Sequence, residues 1–335
     1  MTTLNNTAEP EPVPVLTFAR TIDRALVHRA AVSEVLVTDL MRTGPEAFLA
    51  GAQLPNEHAY FSDHERTPAT YDFLLLLEAA RQAGTAASHR QLSLPLDTTF
   101  LVSNWTVRLE DPQALMPGDR PGELELAGTV TPLTARNGRL RGVTSAAILG
   151  IAGRVVARTR IDVGTARNTD YNKLRFLQRR STPPLTADLL GLERSRPADA
   201  SGVGRRNPAN VVLGEPLHLG NAVAAQVDPL FENRSLFDHT YDHLPAMVLT
   251  EAARQLAHLA GVPTDATVTG CTADFLRFAE LDSPLVATAR LDPAAAGGRI
   301  GCSVVFEQDG REAGRIALEC TRVPQRTGAE EGTAW

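Results

Sequence analysis

A chain of 335 residues with 43% hydrophobic content is long enough for two cores, so two domains are the starting expectation. Its net charge of −6 argues against a nucleic-acid partner, which would need a concentrated positive surface. No apolar run approaches the roughly 18 residues of a membrane span, since even Leu74 to Leu77 runs straight into Glu78 and Arg81.

In chain order, residues 1–15 set Glu9 and Glu11 among Pro10, Pro12 and Pro14. That layout is not the basic-then-apolar pattern of a signal peptide, so the expectation is a disordered tail on a soluble, cytoplasmic protein. A first repeat is expected over 16–164. It holds a loop with Glu57, His58, Asp63 and His64, a helix at about 68–88 containing FLLLLEAARQAG, and strands at 140–148 and 155–161. Residues 165–208, rich in Arg, Pro, Ser and Gly, read as a surface linker with a short helix at 171–180. A second repeat is expected over 209–323, with Asp238, His239, Asp242 and His243 in its loop, a helix at about 244–260, and strands at 300–306 and 316–320. Residues 324–335 read as a second tail.

The repeat rests on LEAARQ at Leu77 to Gln82 and TEAARQ at Thr250 to Gln255, whose five consecutive identities stand 173 residues apart. Apolar and small residues occupy nearly every side of both helices, so each is expected to be buried all round. A long buried helix wrapped by a curved antiparallel sheet is the hotdog arrangement. The fold class expected is therefore α+β, a tandem double hotdog. Pro245 is placed in the first turn of the second helix, and Gly84 and Gly261 near the helix ends.

The chemistry-bearing residues follow from the same spacing. Glu78, Arg81 and Gln82 stand at i, i+3 and i+4 on one helical face, and Glu251, Arg254 and Gln255 on the other. A surface ion pair is the plain reading. On helices this apolar, though, the trios must be buried, and buried charges without a role are costly. A buried carboxylate whose pKa is raised by desolvation could serve as a base, so Glu78, Glu251 and Arg254 are expected to matter for turnover rather than folding. For His64, His239 and His243, loop or capping roles stay open beside catalysis, while His28, His89, His218 and His258 read as structural or exposed. Cys271, Cys302 and Cys320 are odd in number, form no CxxC pair and read as buried thiols. No spacing suggests a metal site, a phosphate loop or a G-x-S-x-G elbow, and no cofactor is expected.

The stretch LFDHTYDHLPAMVLTEAARQ at Leu236 to Gln255 resembles the hallmark of the A-factor biosynthesis family. LVHRAAV at Leu26 to Val32 and NEHAYF at Asn56 to Phe61 are similar to that family's N-terminal copy, and TADFLRFAELDSP at Thr272 to Pro284 matches its pattern. The resemblance implies transfer of a β-ketoacyl group from an acyl-carrier-protein thioester to the hydroxyl of dihydroxyacetone phosphate. It points to Glu78, Glu251 and Arg254, with His243 nearby. Arg254, Arg277 and Arg81 are the candidates for the acceptor's phosphate, Arg277 being expected on a strand beside the helix. The family commonly has Pro-Gly-Met where this chain has Pro245, Ala246 and Met247; Ala246 can replace that glycine's N–H only if its backbone avoids the glycine-favoured region. Hotdog pairs place each site between modules, so Glu251 is expected near His58 or His64, and Glu78 near His239 or His243. Two alternatives remain: a hydroxyacyl thioester dehydratase using His64 with Glu251, and a non-catalytic acyl-binding module. A homo-oligomer also stays open.

Overall fold

The computed structural model describes residues 15–64, 66, 69–136, 138–292 and 298–322. Apart from the exposed Val15, both expected tails lie outside these residues.

The first half supplies β1 (Val37–Arg42), β2 (Ala47–Leu54), β3 (Thr98–Leu109), β4 (Gly122–Thr134), β5 (Leu140–Ile151) and β6 (Arg154–Arg167). The second supplies β7 (Leu217–Leu219), β8 (Ala222–Gln226), β9 (Thr267–Phe275), β10 (Leu285–Leu291), β11 (Arg299–Gln308) and β12 (Arg311–Thr321). All pair antiparallel in one twelve-stranded sheet of order β1-β2-β4-β5-β6-β3-β9-β12-β11-β10-β8-β7. The halves meet edge to edge where β3 pairs with β9, in register from Asn104 against Asp274 to Arg108 against Gly270. Joining the two edges here satisfies backbone groups that each half alone would expose. Trp105, Val107 and Leu109 alternate inward from β3 beneath the helices.

Helix α1 (Phe73–Gln91) begins about five residues later than the periodicity predicts. The reason is local: the Asp72 carboxylate accepts a hydrogen bond from the Leu74 amide at 2.9 Å, which fixes the start. Leu74 to Leu77 are fully enclosed, each worth roughly 1.5–3 kcal/mol of burial. Gly84 lies in the middle of this helix rather than near its end, because a Cβ there would collide with the Ser145 side chain of β5. The short helix expected at 171–180 is α2 (Asn168–Arg179), which starts three residues earlier. Helix α3 (Ala246–Leu259) starts one residue after Pro245, which is the extended cap and not part of the first turn.

The linker departs from expectation at its far end. Far from lying on the surface, Arg205 is fully buried, drawn in by an ion pair to Glu251.

Candidate active site

Each repeat builds the same polar cage around its helix glutamate. Arg29 reaches Glu78 through Nε at 3.1 Å and Nη2 at 2.5 Å, while Arg81 holds both carboxylate oxygens at 2.8 Å. Gln82 donates to Glu78 at 2.7 Å and to the Glu34 carbonyl at 2.7 Å, and accepts from the Leu36 amide at 2.8 Å. In the second repeat Arg205 reaches Glu251 through Nε at 2.9 Å and Nη2 at 2.8 Å, with Arg254 on the other oxygen. Gln255 donates to Glu251 at 2.5 Å and to the Asn210 carbonyl at 2.8 Å, and accepts from the Val212 amide at 3.0 Å. The loops cross between repeats: Asp238 holds Arg29 and the Ala30 amide, and Asp63 holds the Arg206 amide.

These arginines overturn the expected base. Burial, the largest single influence, pushes the Glu78 carboxyl up, but Arg29 and Arg81 outweigh it and hold the group at about 2. Burial likewise opposes ionisation of Glu251, and Arg205 and Arg254 again prevail, leaving it below the ordinary carboxylate range. Both carboxylates are ionised at neutral pH and fully engaged with donors.

The two copies differ in access. Tyr60 donates to Glu251 at 3.0 Å, and Arg254 turns to Asp72, which also takes Arg66 at 3.1 Å. This cage is sealed, with Arg205 1% and Arg254 6% exposed. At the start of α3, where α1 has Asp72, stands Pro245, which offers no side-chain partner. Arg81 is accordingly 21% exposed and lines a cleft of about 2190 Å³. Arg29, His239, His243, Ala246 and Arg277 line the same cleft, as does Tyr60 from the other cage, whereas Glu78, Glu251, Arg254 and His64 do not.

Residues 11–166 and 192–324 match the family model for the AfsA A-factor biosynthesis hotdog domain. The chain belongs to the AfsA family. A curated 2-oxo-3-(phosphooxy)propyl 3-oxoalkanoate synthase of Streptomyces virginiae is 34% identical over 299 residues, covering 86% of this chain and 94% of that one. An identically named protein of Streptomyces coelicolor is 30% identical, covering 86% of this chain and 88% of its own length. A solved structure described as an oleoyl thioesterase from Lactobacillus plantarum aligns with a TM-score of 0.50 at 10% identity, covering 84% of this chain and 99% of that one. At that identity it shows the fold alone, a hotdog.

In this AfsA-family chain His239 is 38% exposed, and its Nδ1 lies 2.5 Å from Asp238, which in turn binds Arg29 on Glu78. Glu78 and His239 are thus linked through Arg29 and Asp238 rather than in contact. His243 sits 2.6 Å from Asp242, which is held by the Tyr171 hydroxyl at 2.6 Å and by Arg175 at 2.9 Å. His64 makes no pair with Glu251: its Nε2 lies 3.0 Å from the Thr70 carbonyl, and burial followed by Arg66 lowers it to about 4. His58 is also away from Glu251, its Nδ1 accepting from the Tyr60 and Phe61 amides. Arg277 follows the end of β9 instead of lying on a strand; it is exposed and has no ion pair among the described residues. Ala246 is the first residue of α3 and avoids positive φ, so the alanine is accommodated without strain. Cys271, Cys302 and Cys320 are buried and unpaired, their thiols pushed up to about 12 by burial.

Sequence reasoning missed Arg29, Tyr60, Asp72 and Arg205 as cage residues. The spacing did not flag the two arginines, which stand 176 residues apart where the helical repeat stands 173 apart. Tyr60 and Asp72 have no counterpart at the repeat spacing of 173, where Asn233 and Pro245 stand.

Proposed function

We propose that this chain joins a 3-oxoacyl group, delivered as an acyl-carrier-protein thioester in the cytoplasm, to the hydroxyl of dihydroxyacetone phosphate. The product would be the ester named in its curated relatives, at the start of a γ-butyrolactone-type signal route. The reaction runs at the Glu78 copy. The observation that carries this reading is that the cleft opens on Arg81 and on His239, which the buried Asp238 carboxylate holds, while Glu251, Arg205 and Arg254 of the other cage are closed off from it.

With Nδ1 committed to Asp238, His239 keeps Nε2 for proton exchange. The acceptor hydroxyl gives its proton to Nε2 and its oxygen attacks the thioester carbonyl. The C–S bond then breaks, and the thiolate leaves with that proton. The first turn of α3, which has no side-chain cap, presents N–H groups and a positive dipole end to the developing oxyanion. Glu78 stays ionised and holds Arg29 and Arg81 in place, and Arg81 serves the phosphate with Arg277, which has no ion pair among the described residues. Asp242 and His243 form a second pair beside the same helix start. The dehydratase reading loses support, since His64 and Glu251 do not meet.

The test supplies a 3-oxoacyl carrier protein with dihydroxyacetone phosphate or unphosphorylated dihydroxyacetone and follows the ester by mass spectrometry. His239→Gln should slow transfer by roughly a hundredfold, the scale of losing a general base, while His64→Gln stays near the parent rate. Equal rates with both acceptors would remove the phosphate role. Loss of water from a hydroxyacyl thioester without acceptor would favour a dehydratase.

A further inference from the structure

The lining of the cleft includes a group that the transfer chemistry does not use. Trp105, on β3 at the junction of the two halves, has no exposed surface, and its indole N–H has no hydrogen-bond partner among the described residues. Buried donors are almost always paired, and indole N–H groups in particular find an acceptor when enclosed. Trp105 nevertheless lines the cleft, together with Tyr60, Phe61, Leu236, Leu249 and Phe275. Its ring packs edge-on against Phe275 with centroids 5.0 Å apart, so the indole is held in place. Apart from the Tyr60 hydroxyl, which is given to Glu251, the surroundings are apolar side chains with one unsatisfied donor among them. That combination suits an acyl chain bearing a hydrogen-bond acceptor and penalises one without it, because a plain chain would cover the N–H and leave it dry.

We infer that Trp105 sets acyl specificity by donating its indole hydrogen bond to the 3-oxo oxygen of a chain lying in this apolar arm of the cleft. The assignment rests on the proposed reading for the identity of the acyl group. It adds a reason why a 3-oxoacyl thioester would be taken in preference to its saturated counterpart. The C1 carbonyl is left to the amides at the start of α3, and the 3-oxo oxygen is read separately by Trp105.

The experiment uses the full chain and its Trp105→Phe variant, which keeps an aromatic ring and removes the donor. Binding comes first, measured by calorimetry with the cysteamine amides of 3-oxooctanoic and octanoic acid, whose nitrogen replaces the thioester sulfur so that no transfer occurs. The parent protein should prefer the 3-oxo amide by about tenfold, the scale of one net hydrogen bond, and the variant should bind both within about twofold. The ratio of kcat/KM for the matching thioesters, with dihydroxyacetone phosphate as acceptor, should collapse in the same way. A purely packing role would lower both ligands together and leave the ratio unchanged, which would overturn the assignment, as would a parent protein with no preference. If Trp105→Phe melts early, 3-benzothienylalanine at position 105 keeps the shape without the N–H and gives the same reading. A preference in binding without any transfer would sink the acyltransferase reading and leave Trp105 standing.

Discussion

Glu251 sits in full burial against two guanidiniums, a tyrosine hydroxyl and a glutamine amide. Replacing it with glutamine would strand Arg205 and Arg254 beside a neutral group, and breaking a buried pair in this way costs about 3–5 kcal/mol. Glu251→Gln should therefore lower the thermal midpoint by many degrees, measured by calorimetry. The same change at Glu78 should cost less, because Arg81 reaches solvent in the cleft and screening discounts its ion pair. Its main effect should be on transfer rate, through loss of the Arg29 and Arg81 positions. Helical spacing made the trios legible and suggested that both glutamates could be exchanged with little effect on folding. It could not show the second arginine on each, since Arg205 reads as one more basic residue in an arginine-rich linker. With two guanidiniums per carboxylate, the balance of burial and charge reverses, and the expected base becomes an anchor.

At the level of elements, the segment between the repeats is a strap. Arg205 donates to the carbonyls of Tyr60 and Asp63, at 2.7 and 2.6 Å, as well as to Glu251. The Asp63 carboxylate accepts from the Arg206 and Asn207 amides and from Asn210 Nδ2, so the segment is tied to the first repeat's loop and the second repeat's helix at once. At the other end Arg175 of α2 bridges Asp242 and Glu280. Arg205→Ala should release residues 181–207, and limited proteolysis should cut there several times faster than in the parent. Equal cutting rates would mean that the segment is held by its backbone alone. The existence of α1, α2 and α3 and of the paired strands was written in period and composition. The docking of the strap was not, because its partners lie between 46 and 145 residues away in the chain and no local pattern records them.

At the scale of the whole molecule, two repeats give one sheet and two cages, and only the cage without a residue like Asp72 opens. The duplication was legible from EAARQ, whereas the asymmetry depends on single residues at the helix starts and on Tyr60. Burial of histidines across both halves gives this architecture a pH signature. Burial, then His89, lowers His28 to about 4; burial, then Arg66, lowers His64 to about 4; and burial lowers His258 to about 4 against the Val262 carbonyl. Each is depressed from an ordinary 6.5, so between those values the unfolded chain binds protons that the folded chain refuses. Their contribution is complete above pH about 6.5 and is lost as pH falls toward 4. Glu78, held at about 2, has the same sign, and its contribution drains from about pH 4.5 downward. The thermal midpoint should therefore be flat between neutrality and about pH 9, above which the buried thiols turn it down. On the acid side it should decline from about pH 6.5 and steepen below about 4.5 as the glutamate adds to the histidines. His258→Leu should make the decline between pH 6.5 and 4.5 shallower, because one of the three refused protons is gone. A midpoint that stays level from pH 7 to 4.5 would mean that these imidazoles are protonated in the folded chain, and with it the close packing of His28 on His89 and the burial of His64 would fail.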